Sequence, residues 1–267
     1  METNEDKMGW NCPDSIADLY LQKCKLFVSN DVEFNIFRQD KDYGKILEGG
    51  EYIVGTDGIN RINRRPEYHE LVFSNLEKFK ENDIYGGPYI KNYGIYGDIS
   101  PNTLNYIADI INIKYLVKDT LVNRIVEVGG GFGAMCKIFS TLFSFNEYIL
   151  VDLPEVLELC KKYLSNFPEL NGKVSYISCN DVSSISNIGD VDLFISTAAM
   201  AECYEEAQLR YSSIIKRSKF AYILYNTLHL PELNLIYQKL IAMMDTFATY
   251  ELENLYWGGV IIYMKSK

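Results

Sequence analysis

The sequence predicts an α/β fold built on a doubly wound, mostly parallel sheet, with a mainly helical N-terminal region in front of it. From Arg124 onward, short apolar runs alternate with amphipathic stretches of helical period. The apolar runs show no polar alternation, so both faces of each strand are covered, which is the signature of a parallel sheet between two helical layers. The final piece, FATYELENLYWGGVIIYMK (Phe247 to Lys265), holds two strand-like runs with no helix between them, so the sheet ends in an antiparallel hairpin. The expected strands are RIVEV (Arg124 to Val128), YILVD (Tyr148 to Asp152), VSYIS (Val174 to Ser178), VDLFIS (Val191 to Ser196) and FAYILYN (Phe220 to Asn226). Helices are expected over Phe132 to Phe143, Pro154 to Leu164, Glu205 to Ile215 and Leu230 to about Met244.

Ahead of residue 120 the texture is different. Asp14 or Ser15 caps a helix running to about Val28, and a second helix follows Pro66, with Tyr68, Val72, Leu76 and Phe79 at helical spacing, to about Lys80. Ser100 before Pro101 is a strong helix start, combining a cap oxygen with a proline at the first helical position. Leu104, Ile107, Ile110 and Ile111 stripe that helix to about Leu116. Between these lie two segments rich in Gly, Asn, Asp and Tyr, Glu48 to Pro66 and Tyr85 to Pro101, which read as loops. The expected organisation is residues 1–119 as an N-terminal helical and loop cap and residues 120–267 as the α/β domain.

Composition excludes several classes. Forty-eight per cent of the 267 residues are hydrophobic, ample for one or two folded domains and far from a disordered chain. The net charge of −10, with no run of Lys or Arg, argues against gripping a phosphate backbone, so no nucleic-acid partner is expected. The N-terminus METNEDKMGW is polar and acidic, unlike a signal peptide, and no apolar stretch is long enough to span a bilayer, so a cytoplasmic protein is expected. Six scattered cysteines without a Cys-x-x-Cys pair read as reduced structural thiols. With only His69 and His229 beside them, no metal site is expected.

The chemistry concentrates at Glu127-Val128-Gly129-Gly130-Gly131-Phe132-Gly133-Ala134, after a strand and before a helix. Such glycines let backbone approach a bound nucleotide closely. Read as Gly129-x-Gly131-x-x-Ala134 the segment fits a dinucleotide fingerprint, and as Glu127-x-Gly129-x-Gly131-x-Gly133 it fits the cradle of S-adenosylmethionine (SAM) enzymes. Asp152, ending the next strand, stands where a carboxylate can accept both hydroxyl protons of a ribose, or can cap the helix opened by Pro154. Asn180 and Asp181, after the third strand, can read an adenine edge or simply form a polar turn. Both cofactors contain a ribose and an adenine, so these residues alone leave the choice open.

Several separate segments, in order from about residue 65 to residue 230, carry a resemblance. IVEVGGGFGAMCKIF, YILVDLPEVLELCKKYL, FISTAAMAECYEEAQLRYSSIIKRSKFAYILYN, NDIYGGP and ISPNTLNYI resemble the Rossmann-like SAM-dependent class I methyltransferases, and among them the sugar O-methyltransferases found with polysaccharide biosynthesis genes. Two departures stand out: Asn105 where that family has Arg, and Thr197-Ala198-Ala199-Met200 in place of a more polar or aromatic stretch. The resemblance implies SAM as cofactor, with Glu127, Gly129, Gly131 and Gly133 around its methionine part, Asp152 on its ribose, and Asn180 and Asp181 near adenine. It also implies a sugar or glycan hydroxyl as methyl acceptor.

Deprotonating a hydroxyl calls for a positioned base, worth about 10² to 10⁴ in rate. Glu202, just past the fourth strand, and His229, just past the fifth, lie at the carboxyl ends where open α/β sheets bind ligands. Glu202 also suits the first turn of the helix after it, His229 also suits a surface loop, and His69 is a weaker third candidate. Tyr85, Tyr89, Tyr93 and Tyr96 offer an aromatic platform for an acceptor, and Arg61, Arg64 and Arg65 could pair with an anionic handle. Two alternatives accompany this reading: N-methylation of an amino sugar or other small polar metabolite, and a catalytically inactive binding subunit. Homo-oligomerisation stays open.

Overall fold

The computed structural model describes residues 14–44, 46–47, 50–226, 238, 241–242, 248–255 and 259–267. The N-terminal part contains helices α1 (Asp14–Ser29), α2 (Asp31–Phe34), α3 (Lys41–Gly44), α4 (Tyr52–Asn63), α5 (His69–Ser74) and α6 (Leu76–Lys80). The short strand pair β1 (Lys91–Asn92) and β2 (Asp98–Ile99) and the long helix α7 (Pro101–Val117) follow. The α/β part then runs β3 (Arg124–Val128), α8 (Ala134–Leu142), β4 (Glu147–Asp152), α9 (Pro154–Leu164), β5 (Val174–Ser178), α10 (Val182–Ser186), β6 (Val191–Thr197), α11 (Glu205–Ile215), β7 (Ser218–Asn226), β8 (Ala248–Asn254) and β9 (Gly259–Ser266). The helix expected from Leu230 to about Met244 falls almost entirely outside the described residues.

One seven-stranded sheet has the order β5-β4-β3-β6-β7-β9-β8. β5, β4, β3, β6 and β7 are mutually parallel, and β9 enters antiparallel between β7 and β8. This is the doubly wound Rossmann-like sheet with a terminal antiparallel hairpin that the alternation of strands and helices predicts. Chain order reverses between β3 and β6, and ligands of such sheets bind in the crevice outside the carboxyl ends at that switch point.

Three expectations for the N-terminal part are corrected. The segment Glu48 to Pro66, read as loop, contains the twelve-residue helix α4. Its glycines serve close packing: a Cβ on Gly58 would come within 2.7 Å of the Leu104 backbone carbon of α7, so only glycine allows this approach. The helix expected through to Lys80 is broken at Asn75 into α5 and α6, with the Asn75 amide nitrogen bonding back to the Leu71 carbonyl. Ser100 precedes α7 as expected, but its side chain makes no cap bond. Its hydroxyl instead accepts a 3.3 Å hydrogen bond from Arg38 Nη2.

That Arg38 contact belongs to a buried polar cluster that explains both N-terminal motifs. Arg38 is wholly buried, donates to the Asn82 carbonyl at 2.8 Å, and lies 5.0 Å over the ring of Phe132 in the glycine segment. Asn82 donates to Thr103 Oγ1, Thr103 donates to Asp83, and the Tyr163 hydroxyl of α9 reaches Asn82. Thus NDIYGGP and ISPNTLNYI meet beneath the glycine turn and are wired to it. The N-terminal helix docks on the same unit. Lys162 of α9 donates to the Phe27 and Val28 carbonyls at the end of α1 and pairs with Asp31 at 2.6 Å. A cation at a helix C-terminus both satisfies orphan carbonyls and favours the helix dipole.

Candidate functional site

The glycine turn begins where β3 leaves the sheet, and the Gly129 N–H donates to the Val151 carbonyl at 2.9 Å, holding the turn against β4. Gly129 has φ +85°, and a Cβ placed on it would fall on the Ala199 side chain. Gly131 has φ +52°, and its N–H donates to Asp152 Oδ2 at 3.1 Å. Both positions need glycine, one for space and conformation together, the other for conformation.

Asp152 closes β4 with its carboxyl turned back onto the turn. Besides Gly131 it accepts the Leu153 N–H at 2.7 Å through Oδ1. Burial pushes its pKa up to about 6, against the pull of the Leu153, Gly131 and Gly130 backbone donors. A carboxyl with that balance fits further hydroxyl donors, which a ribose provides. The helix after it is capped by Leu153 with no side-chain bond, so Asp152 does not cap it. Glu127 sits one layer deeper on β3, only 1% exposed, accepting the Tyr148 hydroxyl at 2.8 Å; burial pushes its pKa up to about 8.

Between the turn, the end of β4 and the end of β6 opens a cleft of about 760 Å³ including its mouth. Gly129, Gly131, Asp152 and Glu202 line it together. Of the other expected site residues, Glu127 and Gly133 lie behind the lining, and Asn180 and Asp181 are exposed on the loop beyond Cys179, which does line the cleft. Asp181 caps α10, accepting the Ser184 N–H at 2.9 Å and the Ser184 hydroxyl. His229 lies outside the described residues. His69 begins α5 against the Phe73 ring and does not line the cleft.

The far wall was not legible in the sequence. Tyr20 of α1, and Ile46 and Leu47 after α3, close the cleft from the N-terminal side, with the Leu47 carbonyl held by the Asn102 amide at 3.1 Å. On the opposite wall, after β6, come Ala198, Ala199, Cys203 and Tyr211. Ala198 has φ +70°, a rare conformation for a residue with a Cβ that costs about 1–3 kcal/mol and concentrates at ligand sites. Its N–H donates to the Leu224 carbonyl of β7 at 2.9 Å, and the Met200 N–H is fixed by Ser196 Oγ at 3.0 Å. The turn Ala199–Glu202 thereby sets the half-buried Glu202 at the rim. The Cys179 thiol, held neutral chiefly by burial with a pKa up to about 12, adds an apolar face.

Two expected acceptor features take other roles. Tyr93 and Tyr96 are core residues, Tyr93 stacking on Tyr52 at 4.6 Å and Tyr96 packing on Phe73, so the four tyrosines form no open platform. The three arginines are already paired: Arg61 with Asp109, and Arg64 and Arg65 with Glu253 of β8. Among the described residues no group of His, Cys, Asp and Glu could hold a metal ion, and no helix is long and apolar enough to cross a membrane.

A family model described as an O-methyltransferase domain matches residues 106–196, from within α7 to the end of β6. The match includes the glycine turn and Asp152 and stops short of Glu202. No curated protein matches this sequence. Similar solved structures include the SAH-bound methyltransferase PaMTH1 of Podospora anserina, 14% identical, covering 60% of this chain and 78% of that one, TM-score 0.43. An rRNA methylase from Streptococcus thermophilus is 12% identical, covering 58% and 94%, TM-score 0.46. The small RNA methyltransferase HEN1 is 13% identical, covering 60% of this chain and 25% of its own length, TM-score 0.46. The expectation of a sugar or glycan partner with nucleic acid excluded is corrected by these findings: similar structures include methyltransferases of RNA. Net charge is a sum over the whole surface, and −10 overall does not forbid a local site for an anionic polymer.

Proposed function

We propose that this chain, a SAM-dependent methyltransferase, transfers its methyl group to a hydroxyl oxygen, with Glu202 taking the proton. The observation that carries the reading is that Glu202, Asp152 and the glycine turn line one cleft at the switch point of the sheet. SAM, when bound, supplies an activated methyl on a sulfonium, so the protein's task is alignment and proton removal. In this reading the glycine turn lets backbone meet the methionine part, with Glu127 bracing β3 behind it and Gly133 opening α8. Asp152 accepts the ribose hydroxyls, and the Asn180–Asp181 loop flanks the adenine beside Cys179. Tyr20 and Leu47 keep water out from above, and residues 1–119 act as the cap over the acceptor. Glu202, at the rim, would accept the acceptor hydroxyl proton as the oxygen takes the methyl group and the sulfonium carbon–sulfur bond breaks to leave the thioether.

The test is methyl transfer from isotope-labelled SAM to a panel of hydroxyl compounds, read by mass spectrometry, for the native protein and Glu202→Gln. Turnover is expected to fall by about 10² to 10⁴, with SAM affinity within about twofold of native. Unchanged turnover in the variant removes Glu202 as the base, and loss of SAM binding makes it part of the cofactor site instead.

A further inference from the structure

A second cavity, of about 590 Å³ including its mouth, opens between α4 and α7, with Asp57, Arg61, Asn105 and Asp109 as its polar lining and Ile53, Val54 and Leu224 as its apolar lining. It adjoins the first: Leu224 accepts the hydrogen bond of Ala198, which lines the cofactor cleft. Leu224 and Tyr222 of β7 pack on the α4–α7 side of the sheet, so this cavity lies one hydrogen bond away from the cleft near the carboxyl end of β7.

The polar groups here are buried and unevenly matched. Arg61, 3% exposed, donates to Asp109 Oδ1 at 2.6 Å and to Asn105 Oδ1 at 2.9 Å, and the Tyr222 hydroxyl donates to the same Asp109 oxygen at 2.7 Å. Burial works against the Arg61 charge, but Asp109, Tyr222 and Asp57 hold its pKa above the ordinary value. Asp109 is thereby balanced. Asp57, 8% exposed, has among the described residues only a 3.4 Å ion pair to Arg61 Nε, and that Nε has no hydrogen-bond partner. Two carboxylates face one guanidinium, so the wall of the cavity carries more negative than positive charge, and Asp57 is held only by the longer of the two ion pairs. A buried carboxylate and a buried N–H both carry a penalty until a partner arrives.

We infer that this cavity binds an amino alcohol portion of the methyl acceptor, its ammonium on Asp57. The inference rests on the proposed function, because it takes the cavity as the far end of the acceptor site. A protonated ammonium has no lone pair to receive a methyl group, so it serves as the handle, and a separate hydroxyl reaches toward Glu202.

The test compares octopamine with 1-(4-hydroxyphenyl)ethanol, and trans-2-aminocyclohexanol with cyclohexanol, each pair differing by the amine. Binding to the full chain is titrated by ligand-observed NMR with and without S-adenosylhomocysteine (SAH), whose own affinity is measured by calorimetry. The amine of at least one pair is expected to bind tenfold or more tighter than its partner, without displacement by SAH. Asp57→Asn, nearly isosteric, is expected to abolish that preference and leave SAH affinity unchanged. Equal affinities in both pairs, a preference that survives Asp57→Asn, or competition between amine and SAH overturns the inference. Absence of SAH binding with the amine preference intact overturns the methyltransferase reading and keeps the ammonium site.

Discussion

Asp152 illustrates how much one side chain can be asked to do. It braces the glycine turn through Gly131, starts the exit toward α9 through Leu153, and presents what remains of its carboxyl to the cleft. Asp152→Asn keeps an acceptor oxygen but loses the charge and puts a donor beside the backbone N–H groups. SAH affinity is expected to fall at least about tenfold, or about 1.4 kcal/mol, by calorimetry, while the ligand-free protein keeps its far-UV circular dichroism. Gly129, Gly131 and Asp152 were legible because spacing after a strand constrains them locally. Tyr20 and Leu47 were not, since nothing in their own neighbourhood marks them and they reach the cleft only through tertiary packing. Ala198 was singled out only as a departure from a resembling family; its left-handed backbone is visible in the structure alone.

Elements were legible where hydrophobic period was strong and illegible where close approach replaced it. The β3–β7 strands and the terminal hairpin have apolar runs that allow little else. α4 carries two glycines because it lies against α7 and Tyr93, and a sequence rule that counts glycine as a breaker turns this packing signal into a loop. Gly58→Ala tests the explanation. Alanine is the better helix former by about 1 kcal/mol, yet its Cβ would meet the Leu104 backbone at 2.7 Å. A net loss of about 1–3 kcal/mol is expected from overpacking, read as a lower denaturant midpoint with unchanged slope. A gain in stability would show that α4 and α7 can separate at little cost.

At the scale of the whole molecule, two buried carboxyls contribute a pH response between about 4 and 8. Burial raises Glu127 to about 8 and Asp152 to about 6, both above their ordinary values, so the native state holds protons that the unfolded chain has lost. Their contribution is full below about pH 4 and is lost as pH rises through about 6 and then about 8. Ligand-free melting temperature, as far as these two groups set it, is expected to decline across that window, whereas SAH affinity rises through about pH 6 as Asp152 ionises to meet hydroxyl donors. Melting curves with and without SAH across that range check both; parallel curves would contradict the role given to Asp152. The sheet and its switch point could be read from the chain because strand alternation is a global pattern. The acceptor could not, because charge and tyrosine content are sums that do not say which groups end up buried or paired.

The clamp of Lys162 on the end of α1 ties together residues about 135 positions apart. During synthesis at roughly 5–20 residues per second, α1 therefore leaves the ribosome on the order of 7–27 s before its docking surface exists. For that interval Phe27 and Cys24, buried in the finished protein, have only local partners. The wall that α1 forms over the cleft is thus completed only after the glycine turn and α9, both made later, are in place.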